Sequence, residues 1–319
     1  MLWSTGRRET YTWSESIARR VHQIEVWAVP PSKRLEGKVA VVIGVGQSPG
    51  EGIGNGRAAA MRFAREGARA LAVDRSFELA DETAAMIREE GFETIAFAAD
   101  VTRESELAQA MHEAKGRWGS LDVSHNNLGV SLAAGVDLVC SVNLRGTVFA
   151  RKHAVAIMRE CDCERVLGSC ARQRPYVAYK ASEAGVIEFT EQLALQNAPL
   201  GIRANGVLPG LIVTPMAVDT LETVESVAGA SDCRTQCKGP LRTQGTGWDV
   251  ANAALFLVSD EAHFVTGVSL LVEGGPSFES YLTTVEVFVA WIGVVVAIRD
   301  YSVSHAHAAM PIIPIQYCS

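Results

Sequence analysis

The sequence predicts one α/β domain: a parallel sheet wound in two halves, with helices on both faces in three layers. Three observations carry this prediction. Short apolar, β-branched runs alternate with helical stretches between residues 35 and 276, as strands joined by crossover helices do. The runs are apolar throughout rather than alternating in polarity, which suits strands buried on both faces. The first run also ends in a glycine-rich turn that opens a helix.

VAVVIG (39–44) is the first strand. A helix follows over 57–66, with Ala59, Ala60, Phe63 and Ala64 on one face and Gly67 as its stop. ALAVD (70–74) is the second strand, and a polar-faced helix through Ile87 leads to the third, TIAFAAD (94–100). A helix over 104–118, the strand LDVSHNN, a helix over 143–158 and the strand RVLGS come next. After a helix through residue 179, IRANGVLPG (202–210) is a strand. The helix 249–259 and VTGVSLLVEGG (265–275) complete the pattern.

With 319 residues, 48% hydrophobic and 20% charged, the chain can bury a sizeable core. A net charge of −7 gives no electrostatic case for nucleic acid or an anionic membrane surface. The 7 Cys are scattered; Cys161-x-Cys163 and Cys233-x3-Cys237 lack a second pair or a His at zinc-site spacing. No metal site is expected, and free thiols point to a reducing, cytoplasmic setting. Residues 1–34 lack the apolar core of a secretory leader. They are rich in Arg, Ser and Thr, as transit peptides are, but Glu9 and Glu15 oppose that reading, and a poorly ordered extension is expected. Residues 277–319 form a second extension. Its apolar segment 281–298 is at the lower length limit for a membrane span and carries Glu286. A strand or an oligomer contact suits its Val and Ile content equally, so an anchor is not the reading taken.

The residues that carry chemistry cluster where predicted strands end. Gly44 and Gly46 follow the first strand, and Gly54 and Gly56 open the next helix. Glycines there allow a sharp turn and close approach to a pyrophosphate, which the helix N-terminus can bind through free N–H groups. Asp74 ends the second strand, where an acid can accept the adenosine ribose hydroxyls. A carboxylate repels a 2′-phosphate, so NAD is expected; Arg75 beside it leaves NADP as the alternative.

YKASEAGVIEFT (179–190) resembles the active-site helix of the short-chain dehydrogenase/reductase family, and the resemblance runs from about Leu35 to Gly275. Asp100-Val101 resembles the family's adenine-contacting pair, and Asn126-Asn127-Leu128-Gly129 its NNAG motif. Pro209-Gly210 and Thr214-Pro215 resemble the segment that closes over the nicotinamide. The resemblance implies a Rossmann-like fold, a dinucleotide site that includes Asp100, Val101, Asn127, Gly129, Pro209, Gly210 and Thr214, and hydride transfer between a secondary alcohol and a ketone. It also implies Tyr179 as acid/base, Ser169 orienting the substrate oxygen and Asn143 supporting a proton relay. The glycine loop departs from the family: Gly44 and Gly56 are twelve residues apart, against six from first to last glycine there, and the loop reads as a lengthened variant.

The catalytic helix departs further. The family has a Lys four residues after its Tyr; here that position is Glu183. Tyr176 and Lys180 have the literal spacing, but they require a three-residue slip in an otherwise unbroken match. They also leave Ser169 only 7 residues upstream, against 10 for Tyr179 and about a dozen in the family. Residues four apart share a helix face, and a unit charge about 5 Å away is worth roughly 3 kcal/mol at an effective dielectric near 20. A Lys there favours the phenolate; a Glu opposes it. Two readings therefore stand: an oxidoreductase with Tyr179 as acid/base, and an impaired relative that binds dinucleotide in a binding or regulatory role. The chain between Gly129 and Asn143 is about ten residues shorter than in the family. That stretch touches the helices through which relatives dimerise, and a homo-oligomer is compatible with the resemblance.

Overall fold

The computed structural model describes residues 32–50, 52–130, 135–161, 165–169, 177–210, 212–215, 240–241 and 243–275. Strand β1 (Val39–Ile43) leads to helix α1 (Asn55–Arg65), β2 (Arg69–Asp74), α2 (Phe77–Glu89) and β3 (Thr94–Ala98). Helix α3 (Glu104–Trp118) and β4 (Val123–Asn126) follow. A short helix α4 (Val136–Val139) then runs through a π-helical segment (Cys140–Gly146) into α5 (Thr147–Cys161). Next come β5 (Arg165–Ser169), α6 (Val177–Asn197), β6 (Arg203–Pro209), β7 (Ile212–Val213), β8 (Gly245–Thr246), α7 (Gly247–Val258) and β9 (Ser269–Val272).

Seven strands form one sheet in the order β3-β2-β1-β4-β5-β6-β9, and every neighbouring pair is parallel. The chain winds outward from β1 to β3, then returns to place β4 against β1. This is the topological switch point, where ligands of open α/β sheets bind beyond the carboxyl ends of the strands. All five residues of β1 are buried, and their alternation feeds two cores. Ala40 and Val42 pack with Phe63 of α1, Ala84 of α2 and Leu255 of α7. Val39, Val41 and Ile43 pack with Met111 of α3, Ala154 of α5 and Ala194 of α6.

The expected helix over 143–158 begins earlier: the chain is already helical at Val136 and passes Asn143 inside the π segment. Helix α1 starts at Asn55, two residues before the expected position, because Gly54 in extended geometry is its N-cap. Buried ionic groups fasten the ends of elements. Arg203 donates to the carbonyls of Leu257 (2.9 Å), Val265 (3.0 Å) and Ser259 (3.2 Å), and so satisfies acceptors at the C-terminus of α7. Asp122 accepts from Val39 N (2.9 Å), which anchors the start of β1. The segment 281–298 lies outside the described residues, and among those described no helix is long and apolar enough to cross a membrane.

His125 of β4 is fully buried, edge-on to Phe63 at 5.7 Å between ring centroids, and neither ring nitrogen has a hydrogen-bond partner in the described residues. Burial, reinforced by the charge of Arg151, lowers its pKa to about 4. The unfolded chain takes up that proton near pH 6.5, so protonation favours unfolding. The neutral-histidine contribution is intact above pH 6.5 and is lost as pH falls towards 4. Between pH 7 and pH 4.5 the wild type should lose about 2 kcal/mol more stability than His125→Leu, measured by urea denaturation at both pH values. Equal losses in the two proteins would remove His125 as the cause.

Candidate functional site

The site is assembled where β1, β4, β5 and β6 end. Gly44 leaves β1 with φ +82° and donates to Val73 O at 2.8 Å; a Cβ on it would stand 2.5 Å from Asn127 O. A Cβ on Gly56, in the first turn of α1, would stand 1.9 Å from Gly44 O. Helix α1 thus approaches the end of β1 so closely that only hydrogen fits between them. Asn127 closes the third side, with its backbone N on Ile43 O (2.9 Å) and its Nδ2 on Gly44 O (3.3 Å). No side chain caps the start of α1, and its first turn has no acidic residue. Such an N-terminus suits an anion. A cradle that any Cβ would fill, facing an uncapped helix start, fits the pyrophosphate of a dinucleotide.

Gly46 donates to Asp74 Oδ2 at 2.8 Å, and a Cβ on it would meet the Asp74 carboxylate at 2.7 Å. The other oxygen, Oδ1, accepts from Ser76 N at 3.2 Å. Two backbone donors therefore fix the carboxylate at the edge of β2 beside the turn, while Arg75 is exposed. Asp100 is folded back on its own turn: Oδ1 accepts from Thr102 Oγ1 (2.7 Å) and Thr102 N (2.9 Å). Those bonds, with Arg103 and Arg75 behind them, hold its carboxyl below the usual range. Val101 packs on Gly146 of the π segment, whose Cβ would be 3.1 Å from the valine Cγ2. Gly129 lies in open space. Asn126 is buried, and neither polar atom of its side chain has a partner in the described residues.

The other half of the site is built on the π segment and α6. Asn143 is 1% exposed; its Oδ1 accepts from Val130 N (3.0 Å) and its Nδ2 donates to Ser182 Oγ (3.4 Å). Ser182 in turn donates to Tyr179 O (2.7 Å). Asn143 therefore reaches the first turn of α6, where Tyr179 and Lys180 are half-buried. Glu183, one turn on, is only 5% exposed. Ser169 ends β5 and pairs with Val207. Gly210 follows β6 and donates to Val272 O (3.0 Å), with no room for a Cβ beside Glu273. Thr214 is buried just beyond β7. Tyr176 lies outside the described residues.

Two residues of the glycine loop escaped the sequence reading. Gly52 has φ +93° and lies against Val213 O, although its place two residues before Gly54 was a usable signal. Gln47 spans the loop with its side-chain amide, and a lone Gln in a Gly/Pro-rich turn carries no pattern that would reveal this.

Residues 50–277 match a family model described as enoyl-(acyl carrier protein) reductase. The chain is 34% identical to glucose 1-dehydrogenase 2 of Bacillus subtilis, over 76% of this chain and 96% of that one. It is 32% identical to 2-(S)-hydroxypropyl-CoM dehydrogenase 3 of Xanthobacter autotrophicus, over 76% of this chain and 98% of that one. Among solved structures, NAD+-bound xylitol dehydrogenase superposes with a TM-score of 0.69 at 26% identity, covering 76% of this chain and 99% of the other. A parallel sheet with this switch point, a glycine cradle at its centre and these relatives place the chain in the short-chain dehydrogenase/reductase family of NAD(P)-dependent oxidoreductases.

Proposed function

We propose that the chain interconverts a secondary alcohol and a ketone, with Tyr179 as the acid/base, and that Glu183 restrains the reaction. The observation that carries this reading is the turn of α6 in which Tyr179 stands tied to Asn143 through Ser182, with buried Glu183 one turn further on. Gly44, Gly46, Gly54 and Gly56 would hold the pyrophosphate and Asp74 the adenosine ribose. Asp100, Val101, Asn127 and Gly129 would line the adenine-ribose side, and Pro209, Gly210 and Thr214 would close over the nicotinamide. The bound dinucleotide supplies the site that gives or takes the hydride. In ketone reduction the Tyr179 hydroxyl donates its proton to the substrate oxygen; in alcohol oxidation it must first lose that proton. Ser169 orients the substrate oxygen, and Asn143 holds the relay that re-supplies the phenol.

A family Lys would favour the phenolate. Glu183 supplies no positive charge at that position, so it gives no help to loss of the Tyr179 proton. Fixed Asp74 favours NAD, while exposed Arg75 keeps NADP within reach. The buried Glu183 also favours a second reading, in which the chain binds dinucleotide without turnover in a binding or regulatory role.

Glu183→Lys tests the proposal. Turnover on a panel of ketones with NADH should rise at least about tenfold, equivalent to about 1.4 kcal/mol at the transition state. Adding Tyr179→Phe should abolish the gain. No gain from Glu183→Lys would count against Glu183 as the restraint, and a gain that survives Tyr179→Phe would remove Tyr179 from the acid/base role.

A further inference from the structure

The loop between β1 and α1 runs from Gly44 to Gly54, longer than the two to six residues usual for such a connection. A loop of this length needs something to hold its phosphate-facing backbone in place. One side chain does so. Gln47 Oε1 accepts from Gly54 N at 2.7 Å, and Gln47 Nε2 donates to Gly52 O at 3.3 Å. A single amide thus closes the loop on itself and fixes the N-cap residue of α1, which has no capping side chain of its own.

The closed loop also rests on the segment that follows β6. A Cβ on Gly50 would stand 3.3 Å from Pro215 Cβ, and one on Gly52 would stand 3.1 Å from Val213 O. Ile53 O lies 2.6 Å from where a Gly247 Cβ would be, at the start of α7. Val213 is itself held in a two-stranded ladder with Thr246. The loop, the strap 212–215 and the N-terminus of α7 therefore meet along a line of glycines, with Thr214 within the strap.

We propose that Gln47 is a positioning residue. Its amide locks the lengthened loop in the shape that receives the pyrophosphate, and through Gly50 and Gly52 the locked loop sets the position of the strap that carries Thr214. The inference rests on the dinucleotide reading of the cradle for its ligand, but the lock itself belongs to the free protein.

Two measurements on the full chain test it. In hydrogen–deuterium exchange without ligand, Gln47→Ala should speed exchange in peptides covering 44–56 and 212–215 together, with β2, β3 and α3 unchanged. In NADH fluorescence titrations, Gln47→Ala should weaken binding about tenfold. Gln47→Glu should weaken it further, because it keeps the acceptor for Gly54 N, loses the donor to Gly52 O and adds a negative charge beside the pyrophosphate. A merely structural role would lower the thermal midpoint without this ordering of affinities. Wild-type exchange across 212–215 in Gln47→Ala overturns the coupling, and wild-type NADH affinity in that variant overturns the positioning role. A wild-type protein that takes up no NADH would instead refute the dinucleotide reading, leaving the exchange result to decide the lock.

Discussion

The contact between Gly56 and the carbonyl of Gly44 is the constraint on which the rest of the site depends. A Cβ at Gly56 would lie 1.9 Å from that oxygen, far inside van der Waals contact, so α1 can seat on the end of β1 only as glycine. Once seated, the N-terminus of α1 faces the crevice that the sheet order opens between β1 and β4. Gly44, turned at φ +82°, lets the chain leave β1 against Asn127. Gly46 brings the turn onto the Asp74 carboxylate. Three glycines thus bring the uncapped start of α1, with its first-turn N–H groups, against the strand ends, beside the Asp74 carboxylate. The helix dipole adds to the affinity of that helix start for an anion.

The arrangement around Asn143 and α6 depends on a second device, the π segment. It holds Asn143 buried and within reach of Ser182, and hence of the turn that carries Tyr179. A π turn is a rare geometry that recurs at functional sites, and here its inner face is also where Val101 meets Gly146. The turn after β3 therefore meets the π segment where the Val101 side chain lies against the Gly146 backbone. Glu183 stands apart from this scheme: it is a buried acid where the family's mechanism calls for a cation.

Much of the fold was legible because burial on both faces leaves uninterrupted apolar runs. β1 reads directly as VAVVI, and α3 has the expected limits, Glu104–Trp118. The start of α1 was misplaced because Gly and Asn look like loop residues, although Gly54 serves as the cap and Gly56 as the packing residue. The π segment left no trace: an extra residue in a helical turn changes hydrogen bonding, not composition. β4 reads as VSHN, a polar strand, yet Ser124, His125 and Asn126 are all buried. Only its place at the centre of the sheet explains that, and no local pattern encodes it. Asn143, Tyr179 and Glu183 were legible as letters in a familiar order. The linkage of Asn143 to the Tyr179 turn through Ser182 was not, because it depends on which face of the π segment meets α6. Gln47 was invisible for the same reason: its partners are backbone atoms brought near by a turn whose shape the sequence does not spell.

The glycine-lined crevice at the switch point is the proposed seat of the dinucleotide. Titration of NADH fluorescence in the wild type and in Gly56→Ala, with circular dichroism confirming that both are folded, tests it most directly. Saturable binding, competed by NAD+, is expected in the wild type and its loss in the variant. Saturable binding of equal strength in both proteins, or none in the wild type, would contradict it.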